Sequence, residues 1–206
     1  MEIVRPFYPG GDFENFDYPK DAIVIDNPPF SILREIKKFY CDNNIKFFLF
    51  APHLTIFSPN DDESICYILT DNSIVYENGA RVATSFVTNL DKFRIRTDPK
   101  LKKIIHGSQI VDKEKTTRYH YPINVISSGL LSKYLNRGFE IKFKNEDLYY
   151  INRLESQKEH KKSIFGEGYL ISDEKAEELK IASYEYSDNV WALSEREKEI
   201  IRNLGS

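Results

Sequence analysis

The stretch Ala22-Ile23-Val24-Ile25-Asp26-Asn27-Pro28-Pro29-Phe30-Ser31 changes character twice. Its first part, AIVID, is a short continuous apolar run ending in an acid, which predicts a strand buried on both faces in a parallel sheet. Asn27-Pro28-Pro29-Phe30 stops that strand, because proline has no N–H to give to a sheet ladder. Ser31 then stands where a helix N-cap is expected. Ile32, Leu33, Ile36, Phe39 and Tyr40 recur at helical spacing up to about Asp42, and Asn43-Asn44 ends the run. Residues 46–51, KFFLFA, form a second continuous apolar run. Strand, helix and strand joined by short connections make a βαβ unit, with a right-handed crossover expected.

Working outward, residues 64–70 (SICYILT) and 82–89 (VATSFVTN) read as strands, and Asn78-Gly79 between their extended arms predicts a tight hairpin turn. An antiparallel hairpin therefore follows the parallel unit. Beyond residue 95 the pattern weakens. A helical turn is expected at 101–105, a strand at 122–126, a short helix at 129–135 and a strand at 139–143. Residues 149–162 read as polar and partly helical. A helix capped by Ser172 runs to 180. Another covers 194–204, where Ser194 and Glu197 make a capping box and Gly205 is a suitable stop. The chain divides into an α/β core over 1–94 and a mixed α+β extension over 95–206, with no repeat, low-complexity tract or Gly/Ser linker marking the boundary.

The 206 residues suffice for one domain with a real core, and 41% apolar with 30% charged side chains argues against wholesale disorder. No apolar run reaches the ~18 residues a membrane span needs, and MEIVRPFYPGG lacks the charged-then-apolar form of a secretory signal. Two cysteines, Cys41 and Cys66, exclude a disulfide scaffold and a Cys-based zinc cluster; both read as small buried apolar residues, and the location expected is cytoplasmic. His53, His106, His120 and His160 are scattered without metal-ligand spacing; His53, after Pro52, either lines a pocket or is structural. The net charge of −3 hides a basic middle: residues 92–118 carry nine basic and three acidic side chains, whereas residues 1–91 carry seven and fourteen. Lys92, Arg94, Arg96, Lys100, Lys102, Lys103, Lys113, Lys115 and Arg118 either contact phosphates or form a solvated surface.

One segment carries chemistry. In open α/β sheets ligands bind at the carboxyl ends of strands, where Asn27 stands. Two prolines fix the backbone and leave carbonyls free to accept. The Asn27 side-chain oxygen and the Pro28 carbonyl could both accept from an exocyclic amino group, and Phe30 could stack on the same base. Such acceptors would aim the amine lone pair at an electrophilic methyl group and stabilise developing positive charge.

With these residues in place, Asn27-Pro28-Pro29-Phe30-Ser31 followed by Leu33-Arg34-Glu35 resembles the catalytic motif of the EcoRI-type adenine-specific DNA methyltransferases and their phage relatives. The resemblance covers about residues 10–57, and the hairpin around Asn78-Gly79 fits the family's closing antiparallel strands. It implies a partial Rossmann-like fold of the S-adenosylmethionine-dependent methyltransferases, a target adenine flipped out of the duplex, and methylation at N6. Asn27 and Pro28 would hold the amino group beside Pro29, and Phe30 would stack on the base. DNA is the implied partner, through the 92–118 stretch.

On the cofactor side the resemblance departs from the family. The family's glycine-rich loop lies some tens of residues before the catalytic motif, and an acidic residue after the next strand holds the ribose. Only 26 residues precede Asn27. Pro6-Phe7 with Gly10-Gly11 reads as a reduced glycine loop, or Gly11-Asp12-Phe13 as the family's third motif, whose acid contacts the cofactor adenine. A permuted order would instead place the loop at Ile164-Phe165-Gly166-Glu167-Gly168-Tyr169. The alternatives to an active enzyme are an inactive relative, phage- or mobile-element-encoded, that binds nucleic acid or a protein, and an unrelated α/β protein. A homo-oligomer or a partner chain would supply what is missing.

Overall fold

A computed structural model of the chain describes residues 2–7, 11–76, 79–106, 121–180 and 191–204. Strands β1 (Ile3–Val4), β2 (Ile23–Asp26) and β3 (Lys46–Pro52) lie parallel, with helix α1 (Leu33–Asp42) joining β2 to β3. The expected βαβ unit is therefore present. Ser31 does not cap α1. After Pro29 the chain makes a 3-10 turn at Phe30–Ile32, and the residue before α1 is Ile32, without a side-chain cap. The two prolines hold the chain extended as far as Pro29, so the extra turn is needed before helical geometry begins. Asn43 and Asn44 close α1: the Asn43 side-chain amide donates to the Phe39 carbonyl, and Asn44 takes φ of 56°.

Strands β4 (Cys66–Val75) and β5 (Arg81–Thr88) form the expected antiparallel hairpin, and β5 also pairs antiparallel with β3. Gly79, at φ of 79°, donates its N–H to the Tyr76 carbonyl across the turn; Asn78 lies outside the described residues. A register shift between Ile68 and Asn72 bulges β4. After β6 (Ile95–Thr97), helix α2 (Pro99–His106) docks on that bulge, and Lys102 donates to the Thr70 and Asp71 carbonyls.

Beyond residue 121 come β7 (Val125–Ile126), α3 (Ser128–Asn136), β8 (Lys142–Phe143), β9 (Tyr149–Ile151), α4 (Glu155–Lys158), β10 (Gly168–Leu170), α5 (Asp173–Lys180) and α6 (Glu195–Asn203). The strands expected at 122–126 and 139–143 shorten to two residues each. Residues 149–162 are partly helical, as read, with α4 at Glu155–Lys158, and the strand Tyr149-Tyr150-Ile151 before it pairs with β10. β-propensity of the aromatic and β-branched run prevails there over the polar pattern. The Ser194–Glu197 capping box forms as read.

The architecture is α/β: a mixed seven-stranded sheet, order β1-β2-β3-β5-β4-β6-β8, beside a three-stranded antiparallel sheet, order β7-β10-β9. Chain beyond residue 94 thus lengthens the main sheet as well as building the second. The main core joins Val24, Phe47, Leu49, Tyr67 and Val87 of the sheet to Ile36 and Tyr40 of α1 and Leu131 of α3. On the reverse face Cys66, Ile68 and Phe86 pack with Phe48, Phe50 and the Leu101 and Ile105 side chains of α2. No helix among the described residues is long and apolar enough to cross a membrane.

Candidate active site

β2 ends in Asp26, 4% exposed, with its carboxylate turned back onto the backbone. One oxygen accepts the Asn27 N–H at 2.8 Å, and the other accepts the Phe7 N–H at 3.0 Å. The parallel register Val4↔Val24 explains the second bond, because continued along the chain it brings Phe7 to the carboxyl end of β2. Asp26 therefore pins two segments at the edge where ligands bind in such sheets. Arg5 Nε lies 3.7 Å from the same carboxylate on an exposed side chain, so solvent screens the pair.

Asn27 is exposed, and its side-chain amide has no hydrogen-bond partner among the described residues. Pro28 is buried, and its carbonyl is likewise unbonded, whereas the Pro29 carbonyl accepts from Ile32 N–H. Phe30 is half-buried and meets Tyr76 edge-on, ring centroids 6.3 Å apart at 87°. Tyr76 stands on the outgoing arm of the β4–β5 hairpin, with its hydroxyl 3.5 Å from Thr84 Oγ1. Two unbonded acceptors and an aromatic pair thus share the carboxyl edge of the parallel strands. Tyr76 was not legible as a site residue: its only sequence signal was an aromatic beside Asn-Gly, which reads as hairpin arm.

Gly11, Asp12 and Phe13 reach the same region through Phe7. The Phe13 ring lies 5.6 Å from Phe7, and 5.5 Å from Phe39 and 6.3 Å from Tyr40 on α1. Asp12 is exposed and folds its own loop, accepting from the Asn15 side chain and from the N–H groups of Glu14 and Asn15. The Asn15 side chain, then the Glu14 N–H, hold its carboxyl below the usual value. These residues fit S-adenosylmethionine only in part. Phe13 offers an aromatic edge, but the Asp12 carboxylate is engaged in its turn, and no strand lies outside β1 among the described residues to present a ribose-binding acid.

The later glycines are structural. A Cβ on Gly166 would collide with the Leu54 carbonyl, and one on Gly168 would lie 2.5 Å from the Ile126 carbonyl oxygen. Protein backbone fills the space a cofactor would need. His53 is 1% exposed at the carboxyl end of β3, with Nδ1 2.8 Å from Ser85 Oγ and Nε2 2.6 Å from Ser132 Oγ, so it joins α3 to the sheet.

The basic stretch divides. Arg94 is buried and donates to the Asp61, Asp62 and Ile65 carbonyls and to the Tyr67 hydroxyl. Arg96 pairs with Asp91 and Asp98, and Lys102 holds the β4 bulge. All three are taken away from phosphates, Arg96 by near neighbours in the chain and Arg94 and Lys102 by partners about thirty residues away that no local pattern shows. Lys92, Lys100 and Lys103 remain exposed; Lys113, Lys115 and Arg118 lie outside the described residues. A buried cluster unseen in the sequence joins Lys37 of α1, Asp61, Tyr67 and Arg94. Burial pulls the Lys37 ammonium below its ordinary pKa, and Asp61 opposes that shift. Compared with known proteins, the chain matches no protein-family model, no curated protein and no solved structure.

Proposed function

We propose that the chain takes up an adenine swung out of DNA and acts on its N6 amino group as an S-adenosylmethionine-dependent methyltransferase of Rossmann-like fold. The observation that carries this reading is the pair of unbonded acceptors, Asn27 Oδ1 and the Pro28 carbonyl, beside the Phe30–Tyr76 ring pair. The two acceptors would take the two N–H bonds of the amino group and turn its lone pair out of the ring plane. Phe30 would cover one face of the base. Positioning and oriented dipoles supply the catalysis, with no group of unusual pKa required. S-adenosylmethionine would supply the electrophilic methyl group. The engaged Asp12 carboxylate favours a second reading, a non-catalytic protein that binds the same base.

The test uses a duplex with one unpaired, bulged adenine and labelled S-adenosylmethionine. Transfer by the wild type should fall about 100-fold or more in Asn27→Ala, the usual consequence of removing one preorganised polar group. Tighter binding of the bulged duplex without transfer, lost in Asn27→Ala, selects the binding protein. Transfer at the wild-type rate in Asn27→Ala would sink the assignment of Asn27.

A further inference from the structure

Phe165 is an exposed aromatic on a fixed mount. Its side chain is 73% exposed, although both neighbours in the chain are held. Ile164 is buried with Leu154, Leu170 and Ile201, and its N–H donates to the Asn152 carbonyl at 2.9 Å. Gly166 lies at φ of 73° against the Leu54 carbonyl, where no other residue has room. The Glu167 N–H closes the turn onto the Ile164 carbonyl at 3.1 Å. Leu54 belongs to the 3-10 turn His53–Thr55 that leaves the carboxyl end of β3, and is itself 40% exposed. Phe165 therefore stands on the same carboxyl edge of the sheet as Asn27 and Phe30, one strand over.

Beside this turn, residues 153–162 carry Arg153, Lys158, Lys161 and Lys162, all exposed, and the Lys161 N–H, at φ of 51°, donates to the Lys158 carbonyl in a tight turn. Glu155 and Glu159 are the acids of the same segment; Glu155 lies 3.9 Å from Lys158 and from Arg196. A rigid exposed aromatic flanked by cations matches the two needs of a nucleic-acid strand, base stacking and phosphate neutralisation. Resting on the adenine-binding reading above, we propose that Phe165 stacks on a base of the DNA strand that offers the flipped adenine, while Arg153, Lys158 and Lys161 contact its phosphates. The docking surface for DNA thus lies at 153–165 in addition to any contact from the exposed lysines of 92–103.

The experiment measures affinity for the bulged duplex and for the same duplex without a bulge, at several salt concentrations, for wild type, Phe165→Ala and the triple variant Arg153→Gln/Lys158→Gln/Lys161→Asn. Phe165→Ala should weaken binding about 5- to 150-fold without altering the salt slope, the range expected for one base–aromatic stack. The triple variant should reduce the slope of log K against log salt by about 2 to 3, near 0.9 for each phosphate contact removed. All four side chains are exposed, so thermal stability should stay at the wild-type value. A wild-type slope in the triple variant, affinity within twofold in Phe165→Ala, or no DNA binding by the wild type overturns the proposal. If the adenine reading alone fails, the effect of Asn27→Ala vanishes, yet Phe165→Ala still weakens binding to the bulged duplex and the triple variant weakens binding to either.

Discussion

Replacing Asp26 by Asn tests whether the carboxylate organises the candidate site. The aspartate presents one oxygen to Asn27 N–H and the other to Phe7 N–H. Asparagine keeps the shape but turns one acceptor into an NH2 donor, so in either orientation one peptide N–H faces a donor. An unsatisfied buried donor costs about 1–3 kcal/mol, and these half-buried amides belong to the lower half of that range, about 1–2 kcal/mol. The surviving bond also loses its charge, which removes about another 1 kcal/mol. Asp26→Asn should therefore destabilise the chain by about 2–3 kcal/mol, and for a chain of this size that lowers Tm by about 4–12 °C. Asp26→Ala removes both acceptors and should fall further. Thermal unfolding followed by circular dichroism measures both, and bulged-adenine binding at a temperature where each variant is folded measures the consequence for Asn27. A Tm within about 1 °C of wild type for Asp26→Asn, with the preference for adenine intact, would refute the argument.

Asp61→Ala leaves the Lys37 ammonium buried without its anion and the Tyr67 hydroxyl without its acceptor, and should cost about 3–5 kcal/mol in urea unfolding; adding Lys37→Met should recover part of the loss, and a fully additive double variant would contradict the pairing. Burial pushes the Cys66 thiol up to about 12, so it should resist a thiol reagent at pH 8 until the protein unfolds, while the half-buried Cys41 reacts first. Because the folded value is the raised one, the unfolded chain loses this proton first. Stability is then fully present below about pH 9 and declines from there to about pH 12, which alkaline unfolding curves of wild type and Cys66→Ala would check.

The legible part of the fold was the part where neighbours in sequence are neighbours in space. The two apolar runs, the helical spacing between them and the two arms of the hairpin each specify an element through local geometry, and the two parallel strands, the helix joining them and the antiparallel pair are all present. The C-terminal half was less legible because its strands are two or three residues long, too short to show a period, and exist only through their partners. In the same way Ser31 had the composition of a cap, but the position of the helix start was set by the prolines before it.

The site divides along the same line. The sequence alone determined that Asn27, Pro28 and Phe30 follow a buried strand and open toward a helix, since two prolines and an apolar run leave the backbone few alternatives. Only the tertiary structure decided that Tyr76 faces Phe30, that Phe7 shares the Asp26 carboxylate, and that Gly166 seats Phe165 beside the carboxyl end of β3. It also decided that Arg94 and Arg96 turn away from solvent to carbonyls and carboxylates. Apart from those of Arg96 with Asp91 and Asp98, these pairings join residues far apart in the chain. They are chosen by the competing demands of burying apolar surface and satisfying every buried donor, and no local pattern records that choice.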